Sequence, residues 1–307
     1  MKIVPSPQDL NPAGRKVCLA IGFFDGVHLG HQQIIRQTIT DARRHEALAA
    51  VLTFDRHPNT VVAPARVPPL IYSWPQKLRV IGSLGADALI ACHFDKTLSE
   101  KPGETFIREL AQAVKQLQSL CVGASFCFGR KRDGNVDLLK HLGRELKFAV
   151  HGLAAVSLDG QAVSSTRIRR AILEGDLDAA TQMLGRAYSL AGLVIHGDGL
   201  GAKLGFPTAN LEAAGLAIPP RGVYAVHVAT DAHIYRAVLN IGVRPTLAKP
   251  EPRLRVEAHL LDFQGDLYGK ELEVTFVEKL REEKKFKSLP ELRDQIARDI
   301  LEAQLRF

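Results

Sequence analysis

The chain is poor in the features that fix a small or membrane-embedded fold without a large core. Its four cysteines, Cys18, Cys92, Cys121 and Cys127, form no CxxC pair, so neither a zinc ribbon nor a disulfide framework is indicated. Scattered in this way they read as small buried apolar groups in a reducing compartment. No apolar run approaches the roughly 20 residues that span a bilayer. The opening MKIVPSPQDL has no apolar signal core, so a cytoplasmic protein that meets no membrane is expected. Internal repeats and low-complexity linkers are also missing, which excludes solenoids and disordered tethers.

What is present fits a folded enzyme-sized chain. Its 307 residues are 46% apolar and 24% charged, enough for one large or two ordinary domains. The net charge of +7 raises the question of nucleic acid. Its basic residues are spread along the chain, however, with only short clusters such as Arg130-Lys131-Arg132 and Lys284-Lys285. Small anionic substrates explain that pattern better than a nucleic-acid stripe, and most of these side chains read as solvated surface.

Two kinds of pattern follow each other. Strand-like runs at Val17–Ile21, Ala47–Phe54, Ala88–His93, Ser119–Val122 and Ala149–Val156 alternate with helical stretches at 32–44, 76–84 and 103–117. This βαβ rhythm predicts an α/β domain, a Rossmann-like parallel sheet with helices on both faces. Two short helices separated by Gly175-Asp176 come next. Beyond Arg186 the character changes to strands at 222–230, 234–242, 254–262 and 271–277, where apolar and polar residues alternate. That period predicts an antiparallel barrel or sandwich. A final helix begins with Ser288 and Glu291 at capping-box spacing and carries a Leu292, Ile296, Ile300 stripe for packing on the barrel. The expected domains are 1–186 and 187–307.

The most informative segment is GFFDGVHLGH, Gly22 to His31. It follows the first strand of the βαβ pattern and opens a helix, so His28 and His31, three apart, can face one side. Free backbone N–H groups and the positive end of the helix dipole point there, a setting suited to nucleotide phosphates. Gly22, Phe24, Asp25 and Gly26 form the turn before it, where glycine allows close backbone approach. A turn-capping His28 is the bland alternative. SSTRIR, residues 164–169, adds hydroxyls at Ser165 and Thr166 and the forked donors of Arg169; an ordinary helix cap is its bland reading.

Further on, GLGAKLGFPTAN, residues 199–210, offers glycines and Lys203 to cradle phosphates without the GK[ST] ending of a Walker loop. Thr208 and Asn210 supply neutral oxygens suited to magnesium. Glu257, on the polar face of its strand, can accept a hydroxyl proton or simply be a surface residue.

The N-terminal segment resembles the HxGH nucleotidyltransferases. GFPTAN, NIGVRPT (240–246), VEAHLLDF (256–263) and GDLYGKELEV resemble the riboflavin kinase domain. Together with TFDRHP, LGR at 184–186, LREEKKF and LPELRDQIARD, they place the chain near the prokaryotic bifunctional riboflavin kinase/FAD synthetase family over nearly its whole length. The resemblance implies an N-terminal FMN adenylyltransferase and a C-terminal β-barrel kinase with a closing helix, using ATP, riboflavin, FMN and Mg2+. His28, His31, Ser165, Thr166 and Arg169 would hold ATP in the first, with Phe128 and Ser125 on the flavin. Thr208 and Asn210 would bind magnesium in the second, Asn210 also meeting flavin, with Lys203 and Gly205 on nucleotide and Glu257 as base.

The sequence departs from that pattern at three places. Ser125 in VGASFCFG stands where the family has Asp or Asn, Gln76 where Glu is common, and Ala202 where Arg is frequent. Ser125 leaves room for a riboflavin kinase with weak or lost adenylylation. A class I aminoacyl-tRNA synthetase would need a KMSKS-like loop. A monofunctional HxGH adenylyltransferase would lack GFPTAN, and a flavin-binding protein without turnover would have no use for intact site residues.

Overall fold

The computed structural model describes residues 1–231, 233–244 and 253–307, so the end of NIGVRPT, 245–246, lies outside the described residues. The chain forms two compact units, Met1–Leu70 with Trp74–Ser165, and Ile71–Ser73 with Thr166–Phe307.

In the first unit the order is β1 (Lys2–Val4), β2 (Val17–Ile21), α1 (Leu29–Arg44), β3 (Leu48–Phe54), α2 (Asn59–Val62), α3 (Trp74–Ser83), β4 (Ala88–Cys92), α4 (Lys96–Glu100), α5 (Gly103–Val114), β5 (Leu117–Gly123), α6 (Val136–Leu146) and β6 (Ala149–Leu153). A hairpin of β7 (Ser157–Leu158) and β8 (Gln161–Ala162) closes it. The six-stranded sheet runs β1-β4-β3-β2-β5-β6, parallel throughout. Leu19, Ile21, Ala50 and Leu52 share one core with Ile107 and Leu110 of α5 and Leu139 and Leu142 of α6. Cys18, Ala20, Ala49 and Val51 share the other with Ile34, Ile35 and Ile39 of α1 and Ile81 of α3. Burial on both faces explains why these strands read as unbroken apolar runs.

Several bounds differ from the sequence reading by a few residues, and one strand of the sheet is absent from it. The helix expected over 103–117 ends at Val114, because Lys115 turns left-handed (φ 64°) and Leu117 already starts β5. Strand β1, at the sheet edge with three residues, is too short to show a period.

Along the second unit come α7 (Ser165–Glu174), whose first residue, Ser165, belongs by contacts to the other unit, and α8 (Leu177–Leu184). Asp176 between them caps α8, accepting from the Ala179 N–H at 3.0 Å. Then come β9 (Ser189–Ile195), α9 (Leu200–Lys203), β10 (Ala209–Leu211), β11 (Gly222–Ala229), β12 (Ile234–Arg244), β13 (Arg253–Leu260), β14 (Glu271–Arg281) and α10 (Leu289–Gln304). The strands close a barrel in the order β10-β13-β12-β11-β14-β9. Along β13, Val256, Ala258 and Leu260 are buried while Glu257 and His259 stay half-buried, the alternation the sequence displays.

Ser288 caps α10, accepting from the Glu291 N–H at 3.3 Å, and Glu291 answers by accepting from the Lys287 N–H at 3.0 Å. The apolar stripe of this helix divides. Ile300 and Ala303 pack on Val223 and Val238, and Leu292, Ile296 and the outer part of Ile300 line an open cleft. What holds α10 is charge: the Arg281 guanidinium forks onto Asp299 at 2.7 and 2.6 Å, both side chains largely buried, at 14% and 3% exposure. Removing one member of such a pair costs about 3–5 kcal/mol. Asp299→Asn should therefore speed amide exchange across α10 by about 100-fold, leaving the parallel sheet unchanged. Hydrogen-exchange mass spectrometry reads this directly, and unchanged exchange in α10 would show that apolar packing alone suffices.

Candidate active sites

The strand order of the first unit reverses between β2 and β5, and a crevice opens beyond their carboxyl ends. The turn leaving β2 is forced into an uncommon path. Phe24 (φ 54°), Gly26 (φ 73°) and Val27 (φ 41°) are left-handed, a genuine outlier for β-branched valine. A Cβ on Gly22 would lie 2.8 Å from the Phe24 ring. Buried side chains hold the path. Gln32 donates to the Val27 carbonyl at 3.0 Å, and Thr53 to the Phe23 carbonyl at 2.9 Å. Lys77 donates to the carbonyls of Phe23 at 3.2 Å and Phe54 at 3.0 Å and to Thr53 Oγ1 at 3.4 Å. Its ammonium lies over the rings of Phe23 and Trp74 at 4.5 and 4.6 Å.

This turn delivers His28 to the N-cap of α1, where its Nδ1 accepts from the His31 N–H at 3.4 Å. The bond requires an unprotonated Nδ1 and directs any ring proton to Nε2. The two imidazoles stack 3.6 Å apart at 20°, and the Phe24 ring meets His31 edge-on at 5.2 Å. Both histidines thus occupy one patch at the positive end of a 16-residue helix. Ser165 Oγ donates to the carbonyl of Asp25 at 3.1 Å, tying the start of SSTRIR to the same turn. Thr166 and Arg169 lie on the first turns of α7, in the second unit.

Beside Ile21, Phe54 and Phe94 at the strand ends lies a cleft of ≈ 950 Å³. Phe126 and Phe128 stack on each other at 5.4 Å and 18° and both line this cleft, which gives it an aromatic wall. Phe128 lines this cleft; Ser125 is exposed and does not.

In the barrel, strand register does the assembling. Glu257 is paired with Asn210 on one side and Asn240 on the other, so all three share one face. They line a cleft of ≈ 190 Å³ together with Thr208, Gly199, Arg255 and Glu283. His259, two residues along the same face, hydrogen-bonds through Nδ1 to the Pro207 carbonyl at 2.7 Å and so pins the turn that carries Thr208. A Cβ on Gly197 would lie 2.3 Å from the Asn210 amide. Thr208 also borders a cleft of ≈ 250 Å³ under α10, walled by Phe206, Val238 and Phe286, and another of ≈ 390 Å³ beside Phe263 and Tyr268. Lys203 and Gly205 are exposed and line none of these three cavities.

The sequence reading gave no role to Lys77, Gln32, Asn240, Arg255, His259 or Glu283. For Arg255 and His259 a signal existed, since both alternate in phase with Glu257. Asn240 could be found only from cross-strand register, and Lys77 only from the burial of its helix face.

The fold is a parallel sheet followed along the chain by a closed antiparallel barrel, and the family models assign these to a nucleotidyltransferase-type and a flavokinase-type domain. The FAD synthetase family matches residues 10–167 and the riboflavin kinase family residues 184–307. The bifunctional riboflavin kinase/FMN adenylyltransferase of Pseudomonas fluorescens is 37% identical over 304 residues, 99% of this chain and 97% of that one. Its Escherichia coli K12 namesake is 35% identical over 309 residues, covering 100% and 98%. A crystal structure described as a macrolide-efflux protein from Streptococcus pneumoniae superposes with a TM-score of 0.84 at 27% identity, covering 99% of both chains. No helix among the described residues is long and apolar enough to cross a membrane. The chain belongs to the bifunctional riboflavin kinase/FMN adenylyltransferase family.

Burial pushes the Lys77 ammonium down from 10.5 to about 7, against the opposing pull of Asp25 and Asp55. Between those values the unfolded chain binds the proton more tightly, so folding gains as pH rises. The stability of the wild type relative to Lys77→Met should therefore climb between pH 7 and 10 by more than about 1 kcal/mol. Denaturant midpoints across that range test it; a flat difference would place the ammonium in a better-solvated setting.

Proposed function

We propose that this chain phosphorylates riboflavin in the barrel and adenylylates the resulting FMN at the parallel sheet, with ATP as donor in both steps and the cytoplasm as its place of work. Residues 1–186 form the adenylyltransferase and 187–307 the kinase in this reading. Membership of the bifunctional family carries it, and the barrel cleft that Thr208, Asn210 and Glu257 line, with the aromatic cleft that Phe128 lines in the first unit, supports it.

In the kinase step the 5′-hydroxyl oxygen of riboflavin bonds to the γ-phosphorus of ATP. The bond from that phosphorus to the β-phosphate oxygen breaks, ADP leaves, and Glu257 takes the hydroxyl proton. The apolar cleft under α10 suits the isoalloxazine, since Glu257 and Thr208 border both this cleft and the polar one. Thr208 and Asn210 present neutral oxygens to the polar cleft, a donor set that fits magnesium arriving with phosphates. Among the described residues no group of three or more His, Cys, Asp or Glu side chains stands ready to hold a metal alone. When bound, magnesium would neutralise phosphate charge. Gly197 keeps the space that Asn210 needs, and His259 keeps Thr208 in place.

In the second step an oxygen of the FMN phosphate bonds to the α-phosphorus of ATP, the bond to the β-phosphate breaks, and pyrophosphate leaves. His28 and His31, at the positive end of α1, stabilise charge on the attacked phosphate. Gly22, Phe24, Asp25 and Gly26 let the backbone approach the nucleotide, and Phe128 stacks on flavin. The resemblance assigns Ser165, Thr166 and Arg169 to the same phosphates and gives Ser125 a contact to flavin. Both steps depend on positioning and charge rather than on a covalent intermediate.

The reading predicts separable losses. His28→Ala should lower FAD formation from FMN by at least about 100-fold while FMN formation stays near normal. Glu257→Gln should lower FMN formation by about 100- to 10,000-fold and spare FAD made from supplied FMN. Chromatographic separation of the two flavins reads both, and a parallel loss of both activities in either folded variant would overturn the division.

A further inference from the structure

Among the described residues, Arg255 is the only cationic side chain that lines the ≈ 190 Å³ cleft around Glu257. The other charged side chains there are three carboxylates, Asp198, Glu257 and Glu283. A cavity so lined repels a polyphosphate unless cations intervene, and beside the magnesium that would arrive with the nucleotide a guanidinium in the wall lowers that repulsion further. The glycine-rich segment adds no side-chain charge to the wall: Ala202 carries none, and Lys203 is exposed and outside the cleft.

Arg255 is placed to supply it. Two residues before Glu257 on β13, it projects from the same face of the strand. Its Nη1 lies 2.8 Å from Asp198 and 3.7 Å from Glu257. Asp198 begins the turn that continues through Gly199 and Gly201, which also line the cleft. The guanidinium therefore bridges the glycine segment and the carboxylate that takes the proton. It is partly open to solvent, at 29% side-chain exposure, so an incoming anion can reach it. A guanidinium fork fits a carboxylate and a phosphate equally well, and the more highly charged phosphate is the stronger partner.

We propose that Arg255 is the residue that receives the transferring phosphate of ATP in the kinase cleft, and that Asp198 holds it in a waiting position when nucleotide is absent. The proposal rests on the kinase reading of this cleft. Nucleotide binding then exchanges one ion pair for another: the Arg255–Asp198 contact opens and an Arg255–phosphate contact forms. Asp198 acts as a competitor of the substrate, which gives its removal the opposite sign from removal of the arginine.

The test uses the full-length protein with Arg255→Gln, Arg255→Lys, Asp198→Asn and the double variant Asp198→Asn/Arg255→Gln. KM and kcat are measured for ATP and riboflavin, with calorimetric binding of magnesium ADP and magnesium ATP alongside. Hydrogen exchange across the barrel strands, together with the KM for riboflavin, reports that the barrel of each variant is folded. Arg255→Gln should raise KM for ATP by at least about 30-fold and leave KM for riboflavin within about twofold, the scale of losing a charge-assisted contact. Arg255→Lys should recover part of that loss. Asp198→Asn should lower KM for ATP by about threefold, and the double variant should match Arg255→Gln.

A purely structural ion pair would instead make Asp198→Asn as harmful as Arg255→Gln, and that result overturns the proposal. So does an Arg255→Gln variant with unchanged ATP affinity. Glu257→Gln, run in the same series, separates the two levels: near-normal FMN formation there would overturn the kinase reading of the cleft itself.

Discussion

The carbonyl of Phe23 accepts hydrogen bonds from Thr53 and from the buried Lys77, and through it the turn after β2 is fastened to β3 and α3. A valine forced to positive φ cannot be retained by local preference. Its conformation persists because Gln32 holds its own carbonyl and Lys77 and Thr53 hold the residue that begins the turn. The reward is placement. His28 arrives as a helix cap, its Nδ1 is committed to a backbone N–H, and His31 stacks on it. Two imidazoles, otherwise mobile, acquire fixed faces at the end of a helix dipole. The aromatic cleft of this unit depends on the same strand ends, since Ile21 and Phe54 contribute to its wall.

The barrel reaches a comparable result by different means. No left-handed outlier is needed to set Glu257, because hydrogen-bonded register aligns it with Asn210 and Asn240. Clamps at the rim do the rest. His259 fixes the turn that bears Thr208, and the Arg281–Asp299 fork fixes the helix that roofs the apolar cleft. In both units a polar group held by protein partners is spent on geometry rather than on stability, as buried polar networks often are.

The parallel sheet was legible because burial on both faces leaves unbroken apolar strands, and the antiparallel half because β13 and β14 alternate. GFFDGVHLGH could be placed at a strand end and helix start from glycines and isoleucine spacing alone. Strand β10 escaped notice because Ala209, Asn210 and Leu211 are too few to show a period and belong to a motif that reads as a loop. The Arg281–Asp299 fork escaped because its partners are 18 residues apart on different elements, with no spacing rule to link them. Lys203 shows the opposite limit. Its charge and its glycines advertise a phosphate site, yet side-chain direction at the end of a four-residue helix is not written in composition.

Because Glu257 owes its neighbours to register, the barrel site constrains how this chain can change length. Along β13, residues alternate between the cleft and the packed wall. Deleting or inserting one residue within the strand would present Val256 or Ala258 to the cleft and drive a carboxylate inward, although every other residue of the motif survived. A two-residue change would restore the face and still separate the carboxylate from Asn210 and Asn240. Point substitutions around Glu257 can accumulate gradually, but length changes inside β13 cannot. Variation in length belongs at the strand ends, where pairing has stopped.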